Sequence, residues 1–191
     1  MLPPAVSDKP PLVWIIHAFG GSPAKFWYRR LAAKLQDAGC EVEVLRMSSP
    51  QAPKIDNWLG DLDARAEENA SRDDGSHRKL CLIGHSVGCQ AIIRWLAEPQ
   101  TPRLLEKSRL QLQGVLCVAA WFRVVEPWPE IEPWVRQEID CGAARQLLAS
   151  NGSSLDVILS DNDKYTPDYG ENAAAWVESL GATVQVVAGQ L

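Results

Sequence analysis

Gly84-His85-Ser86-Val87-Gly88 places a serine between two glycines, directly after the apolar run Leu80-Cys-Leu-Ile83 and directly before a helical pattern over 90–97. A strand that turns sharply into a helix presents such a serine at the turn, as a nucleophile does in acyl transfer. Side chains at 84 and 88 would meet neighbouring backbone, so glycine is needed at both. The backbone N–H of Val87, at the helix start, points into the same space and can stabilise an oxyanion. A second donor is expected from Ala18 or Phe19, in the loop His17-Ala-Phe-Gly-Gly21 that follows the first apolar run. His17 is expected to order this loop and to border the substrate. A carboxylate is expected from Ser160-Asp-Asn-Asp163, which follows another apolar run; Asp163 is preferred to Asp161 as the group that would orient a catalytic base.

These residues need a scaffold that gathers loops at one edge. Short, non-alternating apolar runs at 12–16, 42–47, 79–84, 114–120, 155–160 and 183–187 suit strands covered on both faces. Helical patterns lie between them. Phe26, Leu31 and Leu35 share a face over 25–38, as do Ile55, Leu59 and Leu62 over 54–69. Ala91, Ile92, Trp95 and Leu96 do so after the serine, and Ala174, Val177 and Leu180 before Gly181. Strand and helix in alternation predict βαβ units, a parallel sheet of about six strands and helices on both faces, a three-layer α/β/α sandwich. Residues 1–191 are expected to form one such domain. The segment 121–134, with three Trp and three Pro, follows a strand directly and is expected over the C-terminal edge of the sheet, where ligands bind in such folds. Trp121, Trp128 and Trp134 are candidates to line an acyl pocket or to cover the sheet as core; Trp121 is the preferred substrate contact.

The composition narrows the function further. Nineteen Lys+Arg against 24 Asp+Glu give a net charge of −5, with no basic block, which argues against binding nucleic acid or an anionic membrane. No apolar stretch approaches the roughly 20 residues a bilayer requires. The start of the chain has neither a basic segment nor an apolar core, so a cytoplasmic location is expected. The five cysteines are odd in number and irregularly spaced, and are expected to be free thiols. No His/Cys cluster has metal-ligand spacing, so neither metal nor cofactor is expected.

Taken in order, these motifs resemble the α/β-hydrolase superfamily, and within it the small, lidless serine hydrolases grouped with retinoblastoma-binding serine hydrolase. The likeness rests on Trp14-Ile-Ile-His-Ala-Phe-Gly-Gly21, Trp27, Met47-Ser-Ser-Pro50, Asp56-Asn-Trp-Leu59, Ile83-Gly-His-Ser-Val-Gly-Cys89 and the turn from Ser160 to Pro167. It implies strand order 2-1-3-4-5-6, Ser86 as nucleophile, Asp163 as the acid, and hydrolysis of small esters or amides. It also implies a catalytic histidine just after the last strand, where this sequence reads Val187-Ala-Gly-Gln190. Gln190 stands at that position and cannot accept the serine proton. Of the three histidines, His77 falls at the wrong edge of the sheet and His85 is expected to point away from Ser86, so His17 is the one geometric candidate for a substitute base, although ordering its loop is the preferred role. Cys89 is expected to pack at the helix start. Two further readings stay open: an impaired relative that binds a small acyl compound or a protein partner, and a flavodoxin-like phosphate binder, which the weak loop Phe19-Gly-Gly-Ser22 supports poorly.

Overall fold

A computed structural model describes residues 9–71 and 76–189. Six parallel strands form one sheet: β1 (Leu12–Ile16), β2 (Glu41–Val44), β3 (Arg78–His85), β4 (Leu110–Val118), β5 (Ser154–Ser160) and β6 (Thr183–Val187). Their order is β2-β1-β3-β4-β5-β6, the order that the family resemblance implies. The helices are α1 (Tyr28–Asp37), α2 (Ile55–Ser71), α3 (Val87–Ala97), α4 (Thr101–Lys107), α5 (Glu132–Arg136), α6 (Cys141–Asn151) and α7 (Tyr169–Leu180).

Alternation along β1 divides the core. Leu12, Trp14 and Ile16 face a large cluster with Trp58, Leu62, Trp95, Leu148 and Trp176, built from α2 to α7. Val13 and Ile15 face a small cluster with Tyr28 and Ile83, capped by Leu31 and Leu35 of α1. Among the described residues, α1 is the one helix that contributes to this second face. α3 is buried over its whole length from Val87 to Leu96, because it lies between the sheet and the helices around it. It is the rigid element on which the turn at Ser86 rests.

Several boundaries differ from expectation. β2 ends at Val44, and Leu45 and Met47 leave the sheet to pack in the large core. α1 starts at Tyr28, so Phe26 is not part of its face: Phe26 sits before the helix with φ 56° and is 59% exposed, while Tyr28 takes the buried place beside Leu31 and Leu35. On α7 the buried residues are Asn172, Trp176 and Leu180, and Val177 is 48% exposed. The reason is Trp176, which packs its ring 4.8 Å from Phe122 and rotates Val177 outward. The α4, α5 and α6 helices carry too short an apolar pattern to be read from sequence; α6 is fixed at its ends instead, by the Asp140 carboxylate accepting from Ala143 N–H and by Gly152 in the left-handed region.

Candidate active site

The backbone at Ser86 has φ 53° and ψ −119°, a conformation that non-glycine residues rarely adopt and that the surroundings must hold in place. Two glycines make it possible. A Cβ at Gly88 would lie 2.3 Å from the Ile16 carbonyl oxygen, and one at Gly84 would lie 2.7 Å from the Cys89 nitrogen. The turn is therefore pressed against the end of β1 and against the first turn of α3. Ser86 N–H donates to Val118 O (2.9 Å), which pins the turn to β4 as well. The Val87 N–H opens α3 and has no acceptor within the helix. The Ser86 Oγ accepts a hydrogen bond from the indole N–H of Trp121 at 3.3 Å.

His17 orders its loop from inside. It is 1% exposed, its Nδ1–H donates to Ala18 O (2.8 Å), its Nε2 accepts from Met47 N–H (3.4 Å), and its ring lies edge-on to Trp58. The bond from Met47 needs the neutral ring, because Nε2 must keep its lone pair, and burial pushes the His17 pKa below the usual value. His17 does not line the cavity beside Ser86, which corrects its placement as a substrate contact and removes it as a substitute base. Ala18 is corrected too: its N–H donates to the Tyr28 hydroxyl at 2.8 Å, so it is already used. Phe19 is left as the loop's donor, with its ring edge-on to Trp128.

His85 was expected to turn away from the nucleophile. It lines the same cavity as Ser86, with its Nδ1 2.8 Å from the Tyr28 hydroxyl and its ring enclosed by Phe26 and Trp27. Burial drives its pKa down to about 4, against an opposing pull from the Asp163 charge and with a smaller push from His17. It is a neutral ring at ordinary pH. His77 directly precedes β3, at the opposite edge from Ser86.

The cavity has a volume of about 600 Å³, and its apolar wall includes Phe19, Trp121, Val124, Trp128 and Ile131. The segment 121–134 crosses the C-terminal edge of the sheet and is tied down by side chains from beneath. Gln90 donates to Trp121 O. Asn172 accepts from Phe122 and Arg123 N–H (2.7 and 3.0 Å) and donates to Arg123 O. The buried Arg94 guanidinium donates to the carbonyls of Trp134, Gln137 and Glu138. The three tryptophans divide between the roles foreseen for them. Trp121 and Trp128 border the cavity, whereas Trp134 is core, donating to Pro53 O and packing on Trp58.

Asp163 enters the same cavity from the loop after β5. Its Oδ1 accepts from Tyr165 N–H (2.9 Å) and its carbonyl from Thr166 N–H (3.1 Å). Asp161 faces elsewhere, its Oδ1 accepting from Gly189 N–H at 2.7 Å. Gln190 lies outside the described residues. All five cysteines are free. Cys89 is buried at the start of α3 and donates to Val118 O, beside Cys117, whose thiol burial pushes well up. Sequence reasoning missed Tyr28, Phe26, Tyr165 and Asn172; only Asn172, a polar residue within an apolar helical pattern, carried a signal that could have been read.

The family model for "Serine hydrolase" matches residues 13–190, from the second residue of β1 through the whole of this site. The chain belongs to the serine hydrolase family. YdeN of Bacillus subtilis (strain 168) is 25% identical over 155 residues, covering 81% of this chain and 72% of YdeN. The crystal structure of that B. subtilis protein superposes with a TM-score of 0.73 at 22% identity, over 93% of this chain and 84% of its own. Est1E from Butyrivibrio proteoclasticus, solved with ferulic acid bound, gives a TM-score of 0.66 at 13% identity, over 96% and 82% of the two chains. These structural likenesses establish the α/β-hydrolase fold of this serine hydrolase. No described helix is long and apolar enough to cross a membrane.

Proposed function

We propose that this chain hydrolyses small carboxylic esters, with Ser86 as the nucleophile. The observation that carries the reading is the strained turn at Ser86, held between Gly84 and Gly88 and opening onto an apolar cavity. Strain of this kind persists where the surroundings over-determine it, and here it exposes one hydroxyl at a helix start. In the proposed reaction Oγ bonds to the ester carbonyl carbon as its proton passes to solvent. The C–O bond to the alcohol breaks and the alcohol leaves with a proton from solvent. Water then cleaves the acyl-enzyme to release the carboxylic acid and restore Ser86. The developing oxyanion lies between the Phe19 and Val87 N–H groups, which are fixed before reaction. The Trp121 indole N–H donates to Oγ, so the serine's own hydrogen stays available for transfer. Asp163 is the carboxylate that would orient a base. The small, lidless group named above is the finer placement that this reading favours. Ferulic acid, bound by Est1E, is an aryl carboxylic acid, and the Phe19, Trp121 and Trp128 rings suit an acyl group of that apolar character.

A second reading, an impaired enzyme that binds an acyl compound, draws on the histidines. His17 and His85 are neutral, buried rings engaged with the loop and with Tyr28, and His77 is at the far edge. None is free to take the Ser86 proton. Labelling with a serine-directed fluorophosphonate separates the two readings. Rapid modification that maps to Ser86 and vanishes in Ser86→Ala supports the hydrolase; no modification, together with a rise in Tm on adding short-chain carboxylates, supports the binder.

A further inference from the structure

We propose that Tyr28 is a positioning residue that sets the spacing between the two oxyanion donors, Phe19 and Val87. The proposal rests on the reading of Ser86 as a nucleophile. The two donors belong to different segments. Phe19 lies in the loop after β1, and Val87 lies beyond the end of β3. The β1–β3 ladder aligns those strands as far as the pair Ile16 and Gly84 and then stops. Past that point the Gly88 backbone packs on the Ile16 and His17 carbonyls, and Tyr28 adds a hydrogen-bonded side-chain link.

Tyr28 is completely buried at the start of α1. Its hydroxyl oxygen accepts from Ala18 N–H at 2.8 Å and lies 2.8 Å from His85 Nδ1. We assign the hydroxyl hydrogen to His85 Nδ1, the second polar atom within reach of the phenol, which puts the hydrogen of His85 on Nε2. The chain of bonds runs from the residue before Phe19, through one phenol, to the residue before Ser86. Its geometry is stiff because the phenol cannot shift. The Tyr28 ring is packed among Phe26, Trp27 and His85, with centroids 5.6, 4.8 and 5.8 Å away. Burial also keeps the hydroxyl from ionising, so its one hydrogen is always there to donate. The His85 side of the link is equally constant, since that ring is neutral at ordinary pH.

The chemistry gives the spacing its importance. Oxyanion donors act on a charge that exists only in the transition state, and only within about 2.7–3.1 Å of it. A small misplacement leaves substrate binding alone and slows the reaction. A residue that sets the spacing should therefore govern the rate at saturation, not affinity.

The test is fluorophosphonate labelling followed as a function of reagent concentration. It separates the rate constant at saturation, kinact, from the half-saturating concentration, KI. In Tyr28→Phe, which keeps the ring and removes both bonds, kinact is expected to fall about 10- to 100-fold while KI stays within about twofold. In His85→Leu, which breaks the far end of the link, kinact should fall as well. The double variant should fall no further than the slower single variant, because both remove one connection. Circular dichroism and Tm identify folded variants, and His85→Leu is read alone where Tyr28→Phe does not fold. An unchanged kinact, a loss confined to KI, or losses that multiply in the double variant would overturn the proposal. Wild-type protein that is not labelled at Ser86 would overturn the nucleophile reading itself, and this positioning role with it.

Discussion

Ser86 and Asp163 border one cavity from the ends of β3 and β5, with β4 between them, yet they are held in different ways. Around Ser86 the backbone itself is fixed. Gly88 touches Ile16 O, Gly84 touches Cys89, and the buried His17 and Tyr28 fasten the neighbouring loop. Around Asp163 the loop runs through exposed residues, Asn162, Lys164 and Tyr165, and is held by local turn bonds. The difference follows from what each half would have to do. A hydroxyl and two N–H donors act on one carbonyl carbon and oxygen, where about 1 Å decides the rate. A carboxylate acts through a charge on a second group and tolerates more freedom. Rigidity is concentrated where the reading needs it.

The contrast can be broken in stages. Ser86→Ala should abolish fluorophosphonate labelling outright while leaving the circular dichroism spectrum unchanged; residual labelling elsewhere would move the nucleophile. Gly88→Ala forces a Cβ into backbone that cannot yield, so a loss of about 3 kcal/mol or more is expected, seen as a fall in Tm of roughly 10 °C. Acid should also act through the rigid half. Burial lowers the folded-state pKa of His85 to about 4 from the ordinary 6.5, so the unfolded chain takes up a proton that the folded one refuses. Its contribution is complete above pH 6.5 and is lost at about 1.4 kcal/mol per unit as pH falls toward 4. Urea midpoints at pH 7 and pH 5 test this, and His85→Leu should reduce the difference, leaving the part that belongs to the buried His17, whose pKa is also lowered. Trp121→Phe removes the donor to Oγ and should slow labelling about fivefold, the worth of one hydrogen bond of roughly 1 kcal/mol. Asp163→Asn keeps the acceptor for Tyr165 N–H and should change stability by less than about 0.5 kcal/mol, the smallest effect of the set.

Much of this plan is written locally in the chain. At the turn Gly84 is required against Cys89, close by in the chain, whereas Gly88 is required against the Ile16 carbonyl on β1; the pentapeptide was readable because its flanking strand and helix are local. The strands were readable for the same reason: each is a short apolar run covered on both faces. Tyr28 was not readable, because its meaning depends on Ala18 and on His85, which is 57 residues away. Periodicity in that region favoured Phe26, and a start of α1 at Tyr28 in place of residue 25 exchanged an exposed ring for a buried one. His17 could be placed in its loop but not assigned a direction, since an imidazole serves equally as a strut or as a wall. The strap over the cavity showed itself as a cluster of Trp and Pro, but its attachment comes from two helices far apart in the chain, Gln90 and Arg94 on α3 and Asn172 on α7.

The strand order also bears on how the chain comes together as it is made. β1 and its loop are synthesised first, then α1 with Tyr28, then β2 and α2, and only afterwards β3 with His85 and Ser86. Until β3 inserts between β1 and β4, the Tyr28 hydroxyl has no imidazole to meet and Gly88 has no carbonyl to press against. Pairings distant along the chain are slow to form, because the loop between them must first be closed. A nascent chain therefore carries no partial site that could act early on a cellular ester. Reactivity at Ser86 is expected to appear in one late step, together with the central strand.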